Sequence, residues 1–130
     1  MANSNVVLST KKYLAEAKMR NHFAVIDEPG FYGGGDTGPS PVEYLLTAIG
    51  GCVSMTLRMY AERKGWDVGE ITVNVTQTKK EDGTFLLAEE ISFEKEVSDY
   101  QKKRLLIFAG KCPVAKMVKG ETPIITTIKD

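Results

Sequence analysis

The amino-acid sequence predicts an α+β fold, organised as a single domain over residues 1–130. Strand-like and helix-like segments are mostly segregated along the chain, which favours α+β over a doubly wound sheet. A long apolar helix with a strong start signal lies in the middle, and a hairpin with period-two alternation follows it. The length of 130 residues is that of one ordinary domain.

Three short strands are predicted before the central helix, at residues 6–8, 13–19 and 23–26. The turn signals between and after them are Lys11-Lys12, Arg20-Asn21 and Glu28-Pro29-Gly30. A glycine-rich loop follows at residues 33–39, and we expect it to form a flexible lid or turn near the start of the helix. It lacks a Gly-Lys-Ser/Thr ending, so it does not predict a phosphate-binding loop.

The central helix carries the clearest local signal. Ser40 is a natural N-cap, Pro41 suits the first helical position, and Glu43 completes a Ser-x-x-Glu capping box. We expect the helix to end near Lys64, with Gly65 as a left-handed stop. Its first half is apolar nearly all round and must be covered on every side. Because one modest sheet cannot do this, the sequence predicts an obligate homodimer in which the central helices pack together.

A hairpin is predicted next. Ile71, Val73 and Val75 alternate with polar residues, residues 81–83 turn the chain, and the returning strand presents one apolar face made of Phe85, Leu87, Ile91 and Phe93.

Two further helices and a strand complete the predicted order. A second capping box, Ser98 to Gln101, opens a helix that ends at Gly110, and Cys112-Pro113 begins a short helix to about Lys119. Residues 123–128 are predicted to form a last strand, with a proline at its first position.

Composition restricts the partners and the compartment. The 17 basic and 17 acidic residues balance, so the totals predict neither a nucleic-acid nor a membrane-binding protein. The longest uncharged apolar stretch, residues 44–57, is too short to cross a bilayer. The first five residues lack the basic start and apolar run of a secretory signal, so we expect a cytoplasmic protein whose thiols stay reduced.

The two cysteines are the candidate functional residues. Cys112 lies at the predicted N-cap of a helix and beside Lys111, a setting that stabilises a thiolate, although it equally suits a simple cap or core position. Cys52 lies in mid-helix after Gly50-Gly51, where an inert buried cysteine is the alternative. Its activation would require a cation or a second thiol. The sixty residues between the cysteines say nothing about their distance in space.

Two motifs carry a family resemblance. The segment Asp-Thr-Gly-Pro-Ser-Pro at 36–41, running into Leu-Leu-x-Ala-x-Gly-Gly-Cys at 45–52, resembles the central-helix motif of the OsmC/Ohr family. The segment Ala-Gly-Lys-Cys-Pro-Val at 109–114 resembles the second motif of that family. The order and separation of the two motifs agree with the pattern of that family, and so does the order of the predicted helices and strands.

The resemblance implies an intertwined homodimer in which antiparallel sheets wrap around long central helices, with two active sites at the interface. By analogy, Cys52 would attack an organic hydroperoxide and become a sulfenic acid, and Cys112 would resolve it as a disulfide. A dithiol reductant would then restore both thiols. The resemblance implies neither a cofactor nor a metal ion.

The sequence departs from the family pattern around the thiolate. Family peroxidases hold it with a glutamate directly after the helix-start proline, which is Val42 here, and with an arginine. Glu43 lies one residue later and should point away from Cys52, at about 100° per residue. Arg20 is the only arginine before the helix, and Arg58 lies six residues after Cys52 near its far side. Glu43 and Arg20 are nevertheless the candidates for these two roles, although the capping box already explains Glu43 and Arg20 could be a solvated turn charge.

Other functions stay open. His22 is the single histidine and could pair with Cys52 in nucleophilic catalysis, whereas no ligand spacing predicts zinc. With these departures, the sequence resembles the OsmC-like branch of the family more than the well-defined peroxidases. A non-enzymatic dimer that binds a hydrophobic small molecule between its central helices, and a redox sensor with a reversible disulfide, are the alternatives to a peroxidase.

Overall fold

The chain has an α+β fold, as predicted, with two antiparallel sheets and three α-helices among the described residues. The structure is a computed structural model that describes residues 1–129. Its elements are β1 (Asn5–Leu8), β2 (Ala15–Met19), β3 (His22–Ile26), α1 (Pro41–Lys64), β4 (Ile71–Lys79), β5 (Phe85–Phe93), α2 (Asp99–Ala109) and α3 (Pro113–Lys116). Residues 1–45 form one compact unit and the chain from residue 46 forms another. The assignment of one domain to residues 1–130 stays a prediction.

The first unit contains a three-stranded meander in the order β1-β2-β3. Strand β2 lies in the middle and buries Ala15 and Ala17, while Glu16 between them is exposed. It starts at Ala15, two residues later than predicted. The tight turn into β3 places Arg20 in the left-handed region, with φ 56°.

The glycine-rich loop is organised by one buried carboxylate. Asp27 accepts hydrogen bonds from the backbone N–H groups of Glu28 (2.8 Å), Gly35 (3.4 Å) and Thr37 (3.2 Å), and from the Thr37 hydroxyl (2.6 Å). These bonds, the Thr37 hydroxyl first, lower the pKa of Asp27. At Gly34 an added Cβ would lie 2.0 Å from the carbonyl oxygen of Glu28. The loop is therefore a closely packed turn, the second of the two forms expected from the sequence.

Helix α1 has the predicted bounds, Pro41–Lys64. The capping box is present, since the Ser40 N–H donates to Glu43 Oε1 at 2.8 Å and the Glu43 N–H donates to Ser40 Oγ at 3.3 Å. Gly65 follows with φ 71°, the left-handed stop that was expected.

The core of the second unit is built on one face of α1. Its buried residues recur at helical spacing, Ile49, Val53, Leu57 and Ala61. The apolar face of the β4–β5 hairpin packs against this core, in a register that pairs Ile71 with Phe93 and Val73 with Ile91.

Phe85 lies on the same face of the hairpin as Leu87, Ile91 and Phe93, as the alternation predicts, but beyond the end of the core. It is exposed, and it pairs with Lys79 at the turn end of the hairpin. Residues 76–86 are exposed throughout, so this end of the hairpin extends past the core. The alternation is therefore correct for all four residues, but the core covers this face only as far as Leu87.

Two helices close the second unit. The capping box of α2 is confirmed, because the Gln101 N–H donates to Ser98 Oγ while the Ser98 N–H donates to the Gln101 side chain. Helix α3 continues as a π-helical turn, Met117–Glu121, in which Gly120 has φ 104°. The predicted helical stretch after Cys112 is thus present in two parts.

The last predicted strand is absent. Residues 123–129 have no regular structure, and Ile124, Ile125 and Ile128 are 91%, 89% and 94% exposed. A strand requires a neighbouring edge, and no described strand pairs with this segment. Within residues 1–129, no helix combines the length and the apolar character needed to cross a membrane.

Candidate functional site

Cys52 lies on α1 at a point where the helix approaches β4 closely. An added Cβ on Gly50 would meet Val75 Cγ2 at 3.4 Å and the Val73 carbonyl oxygen at 3.6 Å, so the missing side chain permits this approach. Cys52 itself is half-buried and packs against the core. One turn later, the Thr56 hydroxyl donates to the Cys52 carbonyl oxygen at 2.8 Å.

Cys112 is the N-cap of α3, as predicted. Its Sγ accepts a hydrogen bond from the Ala115 N–H at 3.4 Å, and Pro113 occupies the first helical position. The side chain is fully buried within the core of the second unit. Capping and burial together fix the position of this sulfur.

Folding brings the two thiols together. Both cysteines are free, and Cys52 packs against the core cluster that contains Cys112. Burial raises the pKa of the Cys112 thiol, and a hydrogen bond with Cys52 and the charge of Cys52 raise it further. The Ala115 and Val114 N–H groups act in the opposite direction. Two reduced sulfurs thus share one site. Of the two, the buried Cys112 sulfur favours its protonated form.

This arrangement has a defined chemical capacity. A half-exposed thiol beside a buried one allows an oxidant to reach the first sulfur and the second to capture the oxidised product. The two thiols also suit a redox sensor that responds to an oxidant by forming a reversible disulfide.

The comparisons with known proteins agree with these features. A family model described as OsmC-like protein matches residues 33–127. The chain belongs to the OsmC-like family. Among curated protein sequences, none matches it.

Solved structures show the same fold for this OsmC-like protein. One from Psychrobacter arcticus 273-4, named for osmotic stress induction and the detoxification response, has a TM-score of 0.77 at 24% identity, covering 90% of this chain and 88% of the other. An OsmC-like protein from Mycoplasma pneumoniae has a TM-score of 0.72 at 21% identity, covering 93% and 89%. The organic hydroperoxide resistance protein OhrB of Bacillus subtilis has a TM-score of 0.64 at 19% identity, covering 93% and 92%.

Three basic side chains of the second unit contact groups other than the two cysteines. The Arg58 Nη2 donates to the Gly69 carbonyl oxygen at 2.5 Å, and the Arg104 Nε donates to the Tyr60 hydroxyl at 3.1 Å. Lys111 Nζ lies 4.5 Å from the centroid of the Phe108 ring. Among the described residues, none of these three contributes to the raised pKa of Cys112.

Glu43 and Arg20 belong to the first unit. The carboxylate of Glu43 is engaged in the capping box, and its hydrogen bonds from the Ser40 backbone and hydroxyl lower its pKa. Arg20 is exposed in the β2–β3 turn, and His22 is exposed at the start of β3. The roles assigned to Glu43 and Arg20 stay predictions. Within the described residues, no group of three metal-ligating side chains occurs.

An aromatic cluster at the core of the second unit was not anticipated. Tyr60 is buried and stacks on Phe108 with ring centroids 3.8 Å apart, and Trp66 meets Tyr60 edge-on at 5.5 Å. Phe108 packs against the core that includes Cys112. The cluster joins α1 to α2 within the core of the second unit. The sequence places Tyr60 on the same predicted helix as Cys52, but it carries no signal that Tyr60 stacks on Phe108 of α2.

Proposed function

We propose that this OsmC-like protein is a thiol-dependent peroxidase that reduces organic hydroperoxides. The observation that carries the proposal is the pair of free, adjacent thiols, of which Cys52 is half-exposed and Cys112 is buried. Proteins named for organic hydroperoxide resistance occur among the solved structures of the same fold. They supply the substrate class of the proposal.

The accessible thiol takes the role of nucleophile. A hydroperoxide arriving from solvent meets Cys52 before it meets Cys112, which is fully buried. The raised pKa of Cys112 also leaves a smaller fraction of this sulfur as the nucleophilic thiolate at neutral pH. Both arguments assign the first attack to Cys52 and the second to Cys112.

The proposed cycle conserves atoms and electrons. The Cys52 sulfur attacks the outer oxygen of ROOH, the O–O bond breaks, and a sulfenic acid and the alcohol ROH result. The Cys112 sulfur then displaces water from the sulfenic acid and forms the Cys52–Cys112 disulfide. A dithiol reductant reduces that disulfide by two thiol–disulfide exchanges and becomes oxidised itself. A reducing compartment such as the cytoplasm supplies such a dithiol.

A homodimer is part of the proposal. On the second-unit portion of α1, residues at helical spacing around Cys52 leave an exposed apolar stripe, Ala48, Met55 and Met59. Exposed methionines on a helix suit packing against another apolar surface. We propose that a second copy of this helix covers the stripe and encloses the cysteine pair.

The test is turnover of cumene hydroperoxide with dithiothreitol by the wild type, Cys52→Ser and Cys112→Ser. We expect Cys52→Ser to reduce turnover to the rate of the dithiol alone, because the attacking sulfur is absent. Cys112→Ser should still form a sulfenic acid that a dimedone probe traps, but no intramolecular disulfide.

Thr56→Val is the matched control, since it changes a neighbour of Cys52 on α1 without removing a thiol. Circular dichroism establishes that each variant is folded. Retained turnover in folded Cys52→Ser would reject the peroxidase. A single stoichiometric oxidation without cycling would favour the redox sensor instead.

A further inference from the structure

The second unit contains an apolar cavity that the cysteine chemistry does not use. It has a volume of about 190 Å³ and is lined by residues of α1, β5 and α2: Leu57, Ile91, Phe93, Lys102, Leu105 and Leu106. None of these is a cysteine or a member of the aromatic cluster. The cavity is therefore a separate candidate for ligand binding.

The walls and depth of the cavity suit a short hydrocarbon chain. Leu57 and Leu105 are fully buried and form its inner end, whereas Leu106 is 71% exposed and lies at the mouth. An apolar cavity of about 150 Å³ stays dry and holds a molecule as large as benzene. The present volume accordingly accommodates an alkyl chain of about six to eight carbons.

One charged side chain lines this apolar space. Lys102 is exposed and contributes to the wall, so its methylene stem can pack on the lining while its ammonium group stays in water. Lys103 follows on the same helix and adds positive charge outside the lining. Asp99 lies one turn earlier and offsets part of this field, which makes the electrostatic contribution small.

We propose that this cavity binds the alkyl chain of a medium-chain carboxylic acid, whose carboxylate pairs with the Lys102 ammonium group at the mouth. The hydrocarbon supplies most of the affinity and the lysine selects the anionic head. The site does not depend on the proposed peroxidase, because no cysteine takes part.

A titration series of butanoate, hexanoate and octanoate, followed by amide chemical shifts of the full chain, tests the chain-length requirement. We expect affinity to rise about fourfold for each methylene that enters the cavity. The shifts should centre on residues of α2 and β5. Absence of saturable octanoate binding, or no dependence on chain length, would overturn the proposal.

Two lysine variants test the head group. Lys102→Met should weaken octanoate about two- to fivefold and leave 1-octanol unchanged, the range expected for an exposed ion pair. Lys103→Met is the matched control and should bind octanoate like the wild type. Equal losses in both variants would overturn the role of Lys102. Cys52→Ser should bind octanoate normally, so failure of the peroxidase and failure of this site are distinguishable.

Discussion

The adjacent glycines of α1 offer a sensitive test of how this helix is packed. Gly50 and Gly51 both lie in the helix interior, where replacing glycine by alanine stabilises a helix by about 1 kcal/mol. At Gly51 an added Cβ meets no atom within 4 Å. At Gly50 it meets Val75 Cγ2 at 3.4 Å, so β4 must accommodate it. We therefore expect Gly51→Ala to raise the free energy of unfolding of the protein and Gly50→Ala to leave it almost unchanged.

The expected difference can be measured by urea and thermal unfolding. Gly51→Ala should raise the free energy of unfolding by about 0.5–1 kcal/mol and the melting temperature by about 2–5 °C, while Gly50→Ala should stay within about 0.5 kcal/mol of the wild type. Protein concentration must be equal in all samples, because a dimer makes the melting temperature depend on concentration.

A destabilised Gly51→Ala variant would refute this reasoning. It would mean that the proposed second copy reaches past the stripe of Ala48, Met55 and Met59 and lies against Gly51 in solution. Peroxide turnover of the same variant provides an independent check, because Gly51 directly precedes Cys52 and a changed helix path would alter the reaction.

Two further predictions concern the buried thiol and the loop. The pKa of Cys112 is raised above its usual 9.0, so above pH 9 the folded state keeps a proton that the unfolded state releases. The free energy of unfolding is therefore unaffected by this group below pH 9 and falls as the pH rises from 9 through the pKa of the folded state. The free energy of unfolding should therefore decline less above pH 9 in Cys112→Ala than in the wild type, and equal slopes would contradict the shift. Gly34→Ala should cost about 1–3 kcal/mol, because its Cβ would lie 2.0 Å from the Glu28 carbonyl oxygen. Gly30→Ala, whose Cβ meets nothing within 4 Å, is the matched control, and equal stability of the two variants would argue against the packed loop.

Local signals predicted the helices well. The start of α1 depends on Ser40 and Glu43, and its end on Gly65, all of which act within a few residues of one another. The same is true of Ser98 and Gln101 at α2. Such signals are readable from the sequence because their interactions are short-range.

The C-terminal segment marks the limit of that approach. Its apolar and β-branched residues favour extended structure, but a strand also needs a partner edge, and no local pattern specifies one. The exposure of Phe85 has a related cause. Alternation identifies a face of a hairpin, but it does not tell how far along the hairpin the core extends.

The candidate site was predictable only in part. The N-cap position of Cys112 followed from Pro113 and is confirmed. The proximity of Cys112 to Cys52 depends on how α3 packs on α1, and sixty residues of intervening chain carry no signal for that distance. The family resemblance implied a functional pair, and the structure adds that one sulfur is half-exposed and the other is buried.

The hydrogen bond from the Ala115 amide to Cys112 Sγ ties the backbone of α3 to the chemistry of a side chain. In the proposed cycle the Cys112 sulfur would alternate between thiol and disulfide, which would change its electron density and its torsional freedom. The geometry of the first turn of α3 would then depend on oxidation state, and each turnover would disturb the point at which the exposed C-terminal chain begins.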